Sequence, residues 1–185
     1  AAGDNACVLH YTRNESLIAA GDLVLIDAGC EFAYYAAYVT RTYPFSGRFN
    51  QAQRALYDLV LKANRGAIAA CRPGTDFNQP HDVATQILVD GLIALGLLRG
   101  AAPALIASRA HERFCPHKTS HWLGLDVHDV GDYRLGEQWR DLMPGMVLTI
   151  EPGIYIPRDS TTADVAEAFR GIGIRLEDSV LITPQ

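Results

Sequence analysis

Three of the chain's 6 histidines, His117, His121 and His128, fall within a span of twelve residues. Imidazole titrates near neutral pH and is the commonest metal ligand, so such a cluster points to acid–base or metal chemistry. On an extended segment His117 and His121 share a face, while His128 points the other way unless a turn intervenes. Two acids lie downstream in apolar surroundings. Glu151 ends the apolar run that begins at Gly145, and Glu177 sits in a stretch where strand alternation puts Arg175 and Glu177 on one side. A carboxylate in so apolar a strand needs a partner. Two readings satisfy that need: an Arg175–Glu177 ion pair among turn acids and hydrogen-bonded loop histidines, or a carboxylate-rich metal site completed by a histidine.

The elements that must position these groups follow from the hydrophobic pattern. Residues 21–29 form a short apolar run between glycines, which predicts a buried strand ending at Asp27, with its carboxylate at the strand end. Aromatic and β-branched residues then recur from Phe32 to Tyr43 before Pro44, which predicts a second strand and an antiparallel hairpin. The run 145–153 repeats the layout of 21–29, with Gly21, Asp27 and Gly29 each matched 124 positions later by Gly145, Glu151 and Gly153. Two related halves would each contribute a strand-end acid to a site between them. Between the halves, Asn50 is a plausible N-cap for a helix running to Arg72, with Leu56, Leu59, Val60, Ala63, Ala67 and Ile68 inward. A second helix starts near Pro80, carries Val83, Ile87, Leu88, Leu92 and Leu95 inward and is closed by Gly96 and Gly100, and a shorter one follows Pro103. Strands are expected at 121–128, 146–151, 154–156 and 171–182, giving an α+β chain.

Composition sets the frame. The chain has 185 residues, 49% of them apolar and 20% charged, which suits one folded domain over 1–185 rather than a disordered chain. A net charge of −5 without a basic run argues against a nucleic-acid partner. No apolar stretch reaches the roughly 18 residues of a membrane span, and no basic-then-apolar leader opens the chain, so the expectation is a cytoplasmic protein without a membrane partner. Cys7, Cys30, Cys71 and Cys115 are far apart beside apolar neighbours and read as buried free thiols.

Six ordered motifs carry a family resemblance. Leu9-His10-Tyr11, Leu25-Ile-Asp27-Ala-Gly29, Thr40-Arg-Thr42, the run His117 to Asp129, the run Pro144 to Tyr155 and Gly173 to Asp178 together resemble aminopeptidase P, an Xaa-Pro aminopeptidase among the pita-bread metallopeptidases, over residues 5 to 183. The resemblance implies a pita-bread fold, a pseudo-twofold antiparallel sheet with helices on its outer face, here without the family's N-terminal domain and the opening segment of its catalytic domain. It implies a dinuclear centre, usually manganese, with zinc or cobalt as alternatives. Asp27, His121, Glu151 and Glu177 match metal ligands, and Glu177 matches the bridging glutamate. His10, His117 and His128 match histidines that flank the metals and contact substrate, and Arg175 matches an arginine that supports them. Oxygen-rich ligands suit Mn²⁺, and two ions sharing a hydroxide generate a nucleophile at neutral pH. The implied substrate is a proline-containing peptide; without the N-terminal domain, nothing supports an oligomer.

One ligand departs from the pattern. Eleven residues after Asp27, where the family has a bridging aspartate, this chain has Tyr38. Four carboxylates balance two divalent ions, whereas Asp27, Glu151 and Glu177 leave an excess of one positive charge, and a phenol with a pKa of about 10 is a poor replacement. Three functions follow: an aminopeptidase cleaving before proline, impaired by Tyr38 and holding one or two ions; a non-catalytic peptide- or protein-binding module; and a metal-free enzyme of the creatinase type. The third needs most ligands lost, and ranks last.

Overall fold

A computed structural model of the protein describes residues 1–184. The first half of the fold is a long antiparallel hairpin of β1 (Leu23–Phe32) and β2 (Tyr35–Pro44). The strand does not end at Asp27. Residues 28–32 find partners across the hairpin, so Asp27 lies mid-strand opposite Thr40, and Gly29 lies opposite Tyr38. The two-residue turn at Ala33 and Tyr34 has φ of 49° and 71°, the left-handed pair that such a hairpin requires, here made without glycine.

Two helices follow. Asn50 caps α1 (Gln51–Ala70) as expected: its side chain accepts from the Gln53 backbone N–H at 2.8 Å, and the Gln53 side chain accepts from the Asn50 N–H at 3.0 Å. The inward stripe of Leu56, Leu59, Val60, Ala63 and Ala67 is buried. α2 (Gln79–Ala94), with Pro80 in its first turn, packs on α1 so closely that a Cβ at Gly91 would fall 2.2 Å from the Leu59 side chain. Its buried face includes Ala84, Leu88, Val89 and Leu92, while Val83, Ile87 and Leu95 are half-buried at its margin. A short α3 (Ala102–Ala107) leads towards the histidine segment.

The segment 121–128 is not a strand. Trp122 bridges to Leu148, and the chain then turns back, with the Gly124 N–H bonded to the Asp126 carbonyl and the Asp129 N–H to the Trp122 carbonyl. Local turn bonds outcompete a ladder there because Gly124 and the short acids favour them. An unanticipated small hairpin follows, β3 (Arg134–Leu135) and β4 (Gln138–Trp139). β5 (Val147–Ile150) pairs antiparallel with β8 (Asp178–Leu181), and β6 (Gly153–Ile156) with β7 (Ile172–Arg175). The predicted strand 171–182 is thus two strands interrupted at Leu176 and Glu177. At that break Thr40 of β2 and Glu177 exchange backbone bonds of 3.3 and 3.0 Å, which stitches the first hairpin to the later strands. The 124-residue echo has a backbone counterpart, since Gly21 and Gly145 adopt φ of 94° and 93°.

Leu148, Ile150, Ile154, Ile156 and Ile174 meet the buried stripe of α1 to form the core. All four cysteines are free, but Cys30 is exposed, because the distal half of β1 extends beyond the core. No described helix is long and apolar enough to cross a membrane.

Asn64 of α1 ties the core to the later strands. Buried at 3% exposure, its side-chain amide donates to the carbonyls of Ile150 and Leu176 at 3.2 and 3.3 Å, the residues immediately before Glu151 and Glu177. Asn64→Leu leaves both carbonyls short of a donor and is expected to cost about 1–3 kcal/mol in urea denaturation. Conversely, the double substitution Ala33→Asn with Tyr34→Gly relieves two left-handed residues and is expected to stabilise the chain by about 1 kcal/mol in the same assay.

Candidate metal centre

Three side chains from separate elements converge. His121, from the segment after α3, Glu151, from the end of β5, and Glu177, from the break between β7 and β8, each place one donor atom within 4.8 Å of the others. His121 Nε2 lies 3.2 Å from Glu151 Oε1. Its Nδ1 donates to the Trp122 carbonyl at 2.8 Å, so in metal-free protein the second proton of the imidazolium, on Nε2, is the one shared with Glu151, and with that proton gone Nε2 is the atom that would ligate a metal. Thr149 supports the pair: its hydroxyl accepts from the His121 N–H at 3.2 Å and lies 3.3 Å from Glu151 Oε1.

Glu177 is fully buried. Oε2 accepts from the Thr40 hydroxyl at 2.5 Å, while Oε1 has no hydrogen-bond partner among the described residues. Burial, followed by the negative charges of Glu151 and Asp27, pushes its pKa up to about 7 against the opposing Thr40 bond. Burial also acts against the charged forms of its neighbours. Their mutual hydrogen bond nevertheless holds Glu151 below its usual range and His121 above its own. An orphaned carboxylate oxygen beside a second carboxylate and an imidazole is a donor set short of one cation. These residues fit a divalent ion.

Asp27 lines the same cavity, of about 1050 Å³, but is not part of that group. Its carboxylate pairs with Arg175, and the Tyr38 phenol lies against it. The Tyr38 ring covers Gly29 so tightly that a Cβ at Gly29 would fall 2.6 Å from the ring and 2.5 Å from the Ala37 carbonyl, which makes glycine necessary there. Burial, reinforced by Asp27 and Glu177, raises the Tyr38 pKa, so the phenol stays protonated at neutral pH. A neutral phenol is a hydrogen-bond donor rather than an anionic ligand.

Arg175 also donates to the Tyr155 hydroxyl at 3.3 Å, and that hydroxyl lies 2.7 Å from His117 Nε2. His117 Nδ1 faces the Lys118 carbonyl at 2.8 Å, so Nδ1 carries the proton and Nε2 accepts from Tyr155. Burial lowers the His117 pKa and keeps the ring neutral. Asp27, Arg175, Tyr155 and His117 thus form one polar chain along the cavity wall. His128 reaches the site because the turn after Trp122 folds it back, setting its ring edge-on to His121 with centroids 4.4 Å apart. His10 stands at the exposed rim with φ of 56°.

Arg175 therefore pairs with Asp27 across the halves rather than with Glu177 along its own segment. Sequence reasoning passed over Thr40, Tyr155 and His81. The first two lie inside motifs noted for their neighbours. His81 is isolated on α2, where nothing in its spacing marks it, yet its Nδ1 lies 2.9 Å from the Thr119 hydroxyl and burial pushes its pKa down to about 4.

The buried carboxylate has a pH signature. Because the folded pKa of Glu177 is raised from 4.5 to about 7, its contribution to stability is intact below pH 4.5 and is lost as the pH rises through 7 in metal-free protein. Glu177→Gln mimics the protonated acid. In chelator, the variant is expected to match the parent near pH 4 and to exceed it by up to about 3 kcal/mol at pH 8, read by chemical denaturation at each pH.

Comparison with known proteins places this geometry. Residues 1–184 match metallopeptidase family M24. The Xaa-Pro aminopeptidase of Haemophilus influenzae is 52% identical over 183 residues, 99% of this chain and 42% of that protein. The solved Pseudomonas aeruginosa aminopeptidase PepP superposes with a TM-score of 0.96 at 52% identity, over 99% of this chain and 41% of its own. A glutamate-to-alanine variant of Escherichia coli aminopeptidase P, in complex with substrate, gives 0.93 at 52% identity, over 98% of this chain and 40% of its own. The chain spans about two fifths of the length of these relatives. The α+β pita-bread fold expected from the motifs is the fold of this chain, and the chain belongs to metallopeptidase family M24.

Proposed function

We propose that this chain is a metal-dependent aminopeptidase domain acting on the bond between an N-terminal residue and a following proline, with activity impaired by Tyr38. The carrying observation is the convergence of His121, Glu151 and Glu177, whose buried carboxylate has one oxygen without a partner among the described residues. Relatives at 52% identity are named Xaa-Pro aminopeptidases, which supports the substrate class. Those three residues would hold one divalent ion, Mn²⁺ first on the chemistry of the donors, with Zn²⁺ or Co²⁺ as alternatives. When bound, such an ion polarises the scissile carbonyl and lowers the pKa of water.

The remaining residues do separate work. Arg175 holds Asp27 and orients the Tyr155 hydroxyl, which donates a hydrogen bond to Nε2 of the His117 ring, kept neutral by burial. His10 and His128 flank the entrance, and Asp27 stays paired with Arg175 on the cavity wall. Peptides are the partners, with no role for nucleic acid or membrane, and the place of action is the cytoplasm. A second reading, a non-catalytic peptide-binding module, is favoured by Tyr38 alone, since a protonated phenol against Asp27 stands where the family's bridging aspartate would be.

Tyr38→Asp separates the two. A smaller side chain fits over Gly29, supplies the missing charge, and is expected to add a second Mn²⁺ and to raise Xaa-Pro cleavage about 100-fold or more. A folded variant that binds two Mn²⁺ ions and leaves Xaa-Pro peptides intact establishes the binding module instead.

A further inference from the structure

The cavity extends well past the metal ligands. Beyond His121 its wall is aromatic: Phe77, just before α2, packs against Trp122 at 4.5 Å and Tyr133 at 4.8 Å between ring centroids, and Tyr133 stacks on Trp122 with planes 3° apart. Trp139 of β4 completes the wall 6.4 Å from Phe77, with the Arg134 guanidinium 4.0 Å above its ring. Phe77, Tyr133, Arg134 and Trp139 all line the cavity. An open wall of aromatic rings suits an apolar or aromatic side chain of a bound peptide laid against it.

We infer that this wall is a subsite for the side chain of the residue after proline, and that it prefers an aromatic one; the inference rests on the aminopeptidase reading. An aminopeptidase substrate has a single residue before the scissile bond, so any length of cavity beyond the ligands holds residues after it. Arg134, over the Trp139 ring, and Asp132, next to Tyr133, are the charged side chains at the aromatic end of the cavity. An aromatic side chain gains stacking on Tyr133 and Trp139 that a glycine cannot.

Of the chain's 2 tryptophans, Trp139 lines this wall and Trp122 packs behind it on Phe77 and Tyr133, so tryptophan fluorescence reports its occupancy without need of turnover. Ala-Pro-Phe, Ala-Pro-Gly and Phe-Pro-Gly are titrated in turn into the protein with Mn²⁺, and bound Mn²⁺ is measured on the same samples. Ala-Pro-Phe is expected to shift the emission and to bind about three- to tenfold more tightly than Ala-Pro-Gly. That ratio is expected to fall to about one in Trp139→Leu and in Tyr133→Ala, two variants of which at least one should fold as judged by circular dichroism. Equal affinities, a preference carried by Phe-Pro-Gly, no peptide binding, or a ratio unchanged in a folded variant each overturn the subsite. Protein that takes up Mn²⁺ without the preference loses this inference alone, and protein with the preference but no Mn²⁺ loses the metallopeptidase reading.

Discussion

Burying a carboxylate removes it from water at a cost that hydrogen bonds or a cation must offset. Glu177 is that carboxylate here, and much of the architecture bears on it. The strand expected at 171–182 breaks at this residue, Thr40 of the opposite hairpin bonds both its backbone and one of its oxygens, and Asn64 anchors the carbonyl just before it. One oxygen is left without a partner among the described residues, and a Glu177 carboxylate oxygen lies within 4.8 Å of donor atoms of Glu151 and His121. Without a cation, two acids compete for protons in a dry site; with one, every ligand is satisfied at once.

The same argument explains why the first half of the molecule contributes less than the second. Related halves offer Asp27 and Glu151 at corresponding positions, but their surroundings differ. Glu151 faces an imidazole, whereas Asp27 faces a guanidinium and a protonated phenol. Arg175 already supplies the positive charge that Asp27 needs. Tyr38 is accommodated only because Gly29 lies opposite it in the register, so the hairpin that would carry two metal-binding aspartates carries one, held in an ion pair.

Much of this is legible in the sequence because it rests on short-range signals. The Asn50 cap and the inward stripe of α1 are local, and the motifs around Asp27, His121, Glu151 and Glu177 are compact enough to read as words. Signals that depend on tertiary pairing are not legible. The extension of β1 past Asp27 comes from cross-strand partners, the turn after Trp122 from bonds local to Gly124 and Asp129, and the break at Glu177 from Thr40, 137 positions away. Alternation puts Arg175 beside Glu177, yet it pairs with Asp27, because the break sends the two side chains to different neighbours. The β3–β4 hairpin, with two residues in each strand, is too short for periodicity to detect, although it carries Trp139 into the cavity.

The central claim is a single ion held by the second half of the molecule. Its most direct test is Mn²⁺ stoichiometry by calorimetric titration with elemental analysis, in the parent chain, in His121→Ala and in Asp27→Asn. The account predicts one tightly bound ion per chain, abolished in His121→Ala and retained in Asp27→Asn. Two ions of similar affinity in the parent, or loss of binding in Asp27→Asn, would contradict it.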